Sequence, residues 1–136
     1  MLSPTTETIR LVLHILAATV WVGGQLTLAG LVPGLRQIDA ELPRRMARRF
    51  NRIAWPAFGA LVVTGVWNLL AEKVSDKSTA YQVTLFVKLL VVAVSGLAAW
   101  IHSTTKNRLA LALGGALGGL AALGALFLGV LLSTAK

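Results

Sequence analysis

The sequence predicts an all-α integral membrane protein, built as a four-helix transmembrane bundle. Hydrophobic residues make up 56% of the 136 positions and charged residues only 13%, whereas soluble domains carry about 25% charged residues. Mean hydropathy is +0.75, and four apolar stretches approach the roughly 20 residues that a membrane-spanning helix needs. The composition excludes a soluble globular domain and a disordered chain. The absence of cysteine excludes a disulfide scaffold and a thiolate metal site.

The four spans are expected at about residues 9–31, 53–71, 81–102 and 109–132, within one transmembrane domain that covers residues 1–136. The first stretch is too long for the apolar region of a signal peptide, and no basic region precedes it. It is therefore expected to remain in the protein as a span.

The distribution of lysine and arginine predicts the orientation of these spans. The connections after the first and third spans carry the basic residues Arg36, Arg44, Arg45, Arg48, Arg49, Arg52, Lys106 and Arg108, whereas the other side has Arg10, Lys73, Lys77 and Lys136. Cytoplasmic connections are enriched in these residues. We therefore expect a multi-pass protein of the cell (inner) membrane with both termini on the outer, periplasmic side. The basic pI of about 11.3 then reflects topology, and no nucleic-acid partner is expected.

The connection after the first span has a pattern of its own. Leu35, Ile38, Leu42 and Met46 recur at three- and four-residue spacing, with arginines between them. The pattern is typical of a short interfacial amphipathic helix, or of a cytoplasmic extension of the second span that begins at Pro43. The arginines either form an ordinary positive-inside cluster or recognise anionic lipid headgroups.

The fourth span has a small-residue pattern and no ionisable side chain. Gly114 and Gly118 lie four residues apart, as do Gly115 and Gly119, and such spacing lets two helix backbones approach closely in lipid. The span is expected to pack within the bundle or against a second copy of the chain. The alternative is a smooth wall against a flat cofactor.

Two ionisable residues lie well inside spans, where they are costly and usually functional. His14 and Lys88 are both expected at roughly 8–10 Å below the outer boundary. Trp21 and Gln25 share a helical stripe with His14, and His102 shares one with Lys88, so the two polar stripes are expected to face each other. The structural alternatives are a hydrogen-bonded core histidine, a lysine that reaches to the interface, an interfacial His102 and ordinary core packing of Trp21.

Several runs resemble the CopD-like copper-resistance domain family. They are HILAATVWVGG at residues 14–24, VPGLR at 32–36, FNRIAWP at 50–56, LVVTGVW at 61–67 and FVKLL at 86–90. The architecture is also similar to HemJ-type protoporphyrinogen oxidases, which are four-helix membrane proteins that bind b-type haem. That resemblance implies functional or haem-ligating roles for His14 and Lys88. HemJ proteins carry a Pro-Arg-Leu-aromatic motif after the first helix, where this chain has Pro33-Gly34-Leu35-Arg36.

These resemblances lead to three functional hypotheses. The first is a haem b protein in which His14 and Lys88 ligate or contact the haem and Trp21 and Gln25 line its pocket. It would act in electron transfer or as a haem-dependent membrane oxidoreductase on a porphyrin or quinone. The second is copper transport or copper resistance, with His14, Lys88 and His102 as candidate metal ligands. The third is a non-catalytic subunit of a larger membrane complex. A homo-oligomer fits each of them, and no catalytic residue is assigned.

Overall fold

The computed structural model describes residues 1–135 and confirms an all-α fold with four membrane-spanning helices. Within those residues there is no strand. The first span is one continuous helix of 33 residues, Thr6–Ile38, and its middle is a π-helical turn. The elements are α1 (Thr6–Ala18), the π turn (Thr19–Gly23), α2 (Gly24–Ile38), α3 (Leu42–Ala71), a 3₁₀ turn (Val74–Asp76), α4 (Thr79–Thr104) and α5 (Arg108–Thr134).

Polar side chains begin three of the helices. Thr5 caps α1 in a reciprocal capping box with Thr8, Ser78 accepts a hydrogen bond from the backbone of Tyr81, and Asn107 accepts two from the start of α5. Each cap satisfies backbone N–H groups that have no partner inside the helix. These caps place the starts of α1, α4 and α5 outside the corresponding apolar stretches.

The chain forms two compact units, Met1–Glu72 and Lys73–Lys136. The first unit contains α1, the π turn, α2 and α3, and the second contains α4 and α5. The arginine-rich connection is an extension of the second span: α3 begins at Leu42, with Pro43 in its first turn, and runs without a break to Ala71. Proline suits that position because the first N–H groups of a helix have no intrahelical acceptor.

The π turn lies within the stripe that the sequence predicted on the first span. Trp21 is buried, and His14 before the turn and Gln25 after it are both half-buried. The predicted stripe therefore faces inward on both sides of the π turn. Arg10, Ala17 and Val22, which the stripe did not include, are buried as well.

In the second unit, α4 and α5 pack closely as an antiparallel pair. Ser95 is 1% exposed and its Oγ donates to the carbonyl oxygen of Gly118 at 3.3 Å. A Cβ atom at Gly114 would lie 3.1 Å from the carbonyl oxygen of Ala98, so this glycine is required by the contact between backbones. The predicted packing role therefore holds for Gly114 and Gly118, while a Cβ at Gly119 would meet nothing within 4 Å among the residues described.

Candidate functional site

His14 lies in the first unit, on α1, and faces α3. Its Nδ1 is 2.7 Å from Oγ1 of Thr64, a residue that is 5% exposed. A Cβ atom at Gly65 would lie 3.8 Å from Cε1 of the imidazole, so the ring sits against α3 at a position without a side chain. Nothing in the sequence pointed to Thr64 as the partner of His14.

The surroundings of Thr64 determine which nitrogen of His14 carries the proton. Oγ1 of Thr64 donates its single proton to the carbonyl oxygen of Ala60, 2.6 Å away. It must therefore accept from His14, so Nδ1 is protonated. In the neutral form of the ring, Nε2 is the nitrogen that carries the lone pair. Metal-ligating histidines commonly have their other ring nitrogen held by a hydrogen bond in this way.

Trp21 and Gln25, predicted to line a cofactor pocket, make contacts within the first unit. Trp21 is 4% exposed, and its ring centroid lies 4.5 Å from that of Phe58 and 5.5 Å from that of Trp55. The side-chain amide of Gln25 donates to the carbonyl oxygen of Trp21 at 2.9 Å. The Trp21 ring is therefore part of an aromatic cluster between helices, and the amide of Gln25 stabilises the backbone near the π turn.

Arg10 is a buried charge, whereas in the sequence it was counted only as a basic residue on the outer side of the membrane. Its side chain is 6% exposed, and one terminal nitrogen lies 3.8 Å from Glu72 and 4.0 Å from Glu7. Its Nε is buried without a hydrogen-bond partner among the residues described. A cavity of about 300 Å³ lies beside it, lined by Thr6, Glu7, Arg10, Trp67, Ala71 and Glu72. One feature of the sequence indicated that Arg10 faces inward: it lies one helical turn before His14 and therefore on the same face of the helix.

His102 lies in the second unit, close to the end of α4 at Thr104. Its Nδ1 is 2.6 Å from the carbonyl oxygen of Leu111. A carbonyl can only accept, so Nδ1 is protonated and, in the neutral ring, Nε2 carries the lone pair. The glycines opposite make room for this residue, since a Cβ at Gly115 would lie 3.0 Å from the ring and one at Gly114 3.2 Å from Cβ of His102.

Lys88 also lies in the second unit, and its side chain extends towards the end of α5 at Thr134. A Cβ atom at Gly129 would lie 3.1 Å from its Nζ. Ser95 is level with Gly118, so in an antiparallel pair the backbone of Lys88 is level with Ala125. The ammonium therefore reaches about one helical turn beyond its own Cα. This direction agrees with a lysine that extends towards the interface.

The residues described contain no group of three or more histidine, cysteine, aspartate or glutamate side chains that could enclose a metal ion. A model of the family described as copper resistance protein D matches residues 44–135, which is more than half of the chain. The chain belongs to this family. Neither a curated protein nor a solved structure matches it.

The CopD match differs in extent from the resemblance seen in the sequence. The match includes the whole of α5, which contains none of the runs that resemble the family. It begins at residue 44, close to the start of α3 at Leu42. Residues 14–36 lie before it, so the motif around His14 is outside the matched region. Thr64, Lys88 and His102 lie inside that region.

Proposed function

We propose that this CopD-family membrane protein moves copper ions across the bilayer and that the imidazole of His14 is a copper ligand on the route. The observation that carries the proposal is the hydrogen bond between Nδ1 of His14 and Thr64. It orients the ring and fixes the proton on Nδ1, which makes Nε2 the nitrogen that would bind the metal. The description of the family supplies the identity of the metal.

The donor set favours passage of copper over storage. Copper(I) prefers cysteine and methionine ligands, but the sequence has no cysteine and only two methionines. A transport route needs ligands that bind well enough to admit the ion and weakly enough to release it. In the predicted topology, with both termini outside, His14 lies near the outer surface and His102 at the cytoplasmic edge.

Replacing Thr64 with valine tests the role of the hydrogen bond. We expect copper uptake by proteoliposomes to fall about 10-fold, because loss of a residue that holds a metal ligand typically costs 10- to 100-fold. Uptake is read from a copper-chelating dye trapped inside the vesicles. Thr27→Val is the matched control, since the hydroxyl of Thr27 also bonds a carbonyl one turn back, that of Gly23, but the residue is exposed. Equal uptake by Thr64→Val and Thr27→Val would contradict the proposal.

Haem b binding is the second candidate, because a neutral imidazole with its lone pair on Nε2 is also a common haem ligand. In this alternative His14 is the axial ligand, Lys88 the second ligand or a partner of a propionate, and the protein an oxidoreductase acting on a porphyrin or quinone. Trp21 and Gln25 give this alternative less support, since the Trp21 ring packs against Trp55 and Phe58 and the Gln25 amide is bonded to the backbone.

Absorption spectra separate the two candidates. For protein purified from cells supplied with haem, the copper proposal predicts no Soret band in either the air-oxidised or the dithionite-reduced sample. A Soret band that disappears in His14→Ala would establish the haem alternative and overturn copper as the physiological ligand.

A further inference from the structure

Three arginines near the start of α3 form one exposed strip. Arg48, Arg49 and Arg52 are all exposed, and at 3.6 residues per turn they lie within an arc of about 100° on the helix surface. Because the helix is continuous from Leu42 to Ala71, the strip has a fixed orientation relative to the apolar part of the same helix. We call these three residues the basic strip.

A contact on the other side of α3 sets the direction in which the basic strip faces. Phe50 lies about 150° around the helix from the middle of the strip, and its ring occupies the space that a side chain at position 24 would need. Gly24 belongs to α2, so the ring packs against that helix. The aromatic contact within the first unit therefore turns the three guanidinium groups away from α2.

The position of the strip along the helix matches the lipid headgroup layer. The apolar part of α3 begins at Ile53, so a rise of 1.5 Å per residue puts Arg52, Arg49 and Arg48 at about 2, 6 and 8 Å beyond it. The headgroup layer on each side of a bilayer is about 5–8 Å thick. Arg44 and Arg45 lie farther out, at about 12–14 Å, and Arg45 is paired with Asp39.

The strip is positively charged and has no neutralising partner within residues 1–135. None of its three arginines forms an ion pair or a side-chain hydrogen bond there. A guanidinium group is a planar fork of N–H donors that matches the oxygens of a phosphate. We propose that the basic strip is a binding site for the phosphate of an anionic phospholipid, with the guanidinium groups of Arg48 and Arg49 as its main donors.

Lipid titration of the purified full chain in detergent, followed by native mass spectrometry, tests this proposal. The probes are phosphatidylglycerol, which is anionic, and phosphatidylcholine, which has the same phosphate but no net charge. The wild type is expected to prefer phosphatidylglycerol. In the double variant Arg48→Gln/Arg49→Gln the preference should fall about fivefold for each arginine, or about 25-fold in total.

The matched control is Lys106→Gln/Arg108→Gln, which removes two exposed positive charges, one from the connection between α4 and α5 and one from the first residue of α5. It should keep the preference for phosphatidylglycerol. An equal loss in both double variants would show attraction by net charge alone and overturn the site, as would no loss in either. The variant Arg48→Lys/Arg49→Lys keeps the positive charge and serves as the test if the glutamine variant does not fold. A several-fold loss of the preference for phosphatidylglycerol in this variant supports bidentate binding of the phosphate by the guanidinium groups. Full retention of the preference overturns the proposal that guanidinium groups are the main donors.

Discussion

Copper uptake by proteoliposomes is expected to fall at least 10-fold, close to that of protein-free vesicles, when His14 is replaced by alanine. The reason is that the variant removes the ligand itself, whereas Thr64→Val removes only the group that orients it. No cysteine or methionine of the apolar stretches can substitute, since the chain has no cysteine and its two methionines, Met1 and Met46, lie outside those stretches. Uptake is measured as quenching of a copper-chelating dye inside the vesicles.

The structure also predicts that this variant remains folded. Thr64 keeps its hydrogen bond to the carbonyl oxygen of Ala60 when the imidazole is absent, so no buried hydroxyl loses its only partner. Free imidazole added to the vesicles should restore part of the uptake of His14→Ala and leave that of Thr64→Val unchanged. Wild-type uptake by His14→Ala, with a wild-type thermal midpoint, would place the copper route elsewhere in the protein.

The parts of the fold that follow from the length and polarity of the apolar stretches were predictable from the sequence. Each predicted span lies inside one observed helix, because a bilayer core requires about 20 apolar residues and a helix to satisfy their backbone groups. His14 and Lys88 could be selected from the sequence as candidate site residues because an ionisable side chain within a span is costly. Neither conclusion depends on how helices rotate about their axes.

The parts that depend on helix rotation and on contacts between helices were not predictable. The π turn at Thr19–Gly23 was not predicted, because no single residue in the sequence marks that turn. The charge count considered only the side of the membrane on which Arg10 lies, and it could not predict that the side chain is buried beside Glu72. The partner of His14 is 50 residues away along the chain, and only the packing of α1 on α3 brings Thr64 to it.

Contacts between helices also distinguish Gly114 from Gly119, two glycines of the same small-residue pattern, and they give the largest expected effect on stability. In Gly114→Leu, the new Cβ would lie 3.1 Å from the carbonyl oxygen of Ala98 and 3.2 Å from the backbone nitrogen of His102. These are backbone atoms that cannot rotate away, so α4 and α5 must separate. We expect the free energy of unfolding to fall by about 1–3 kcal/mol, the usual cost of overpacking, measured by denaturation in detergent and followed by circular dichroism.

Gly119→Leu is the matched control, because both variants gain the same helix propensity on α5, about 1 kcal/mol over glycine. A Cβ at Gly119 meets no atom within 4 Å in the described part of the chain, residues 1–135, so this variant should be as stable as the wild type or slightly more stable. The difference between the two variants then isolates the contact between helices. If Gly119→Leu lowered stability as much as Gly114→Leu, the α5 surface that packs in the membrane would include Gly119, and a second helix or a second copy of the chain would have to lie against it.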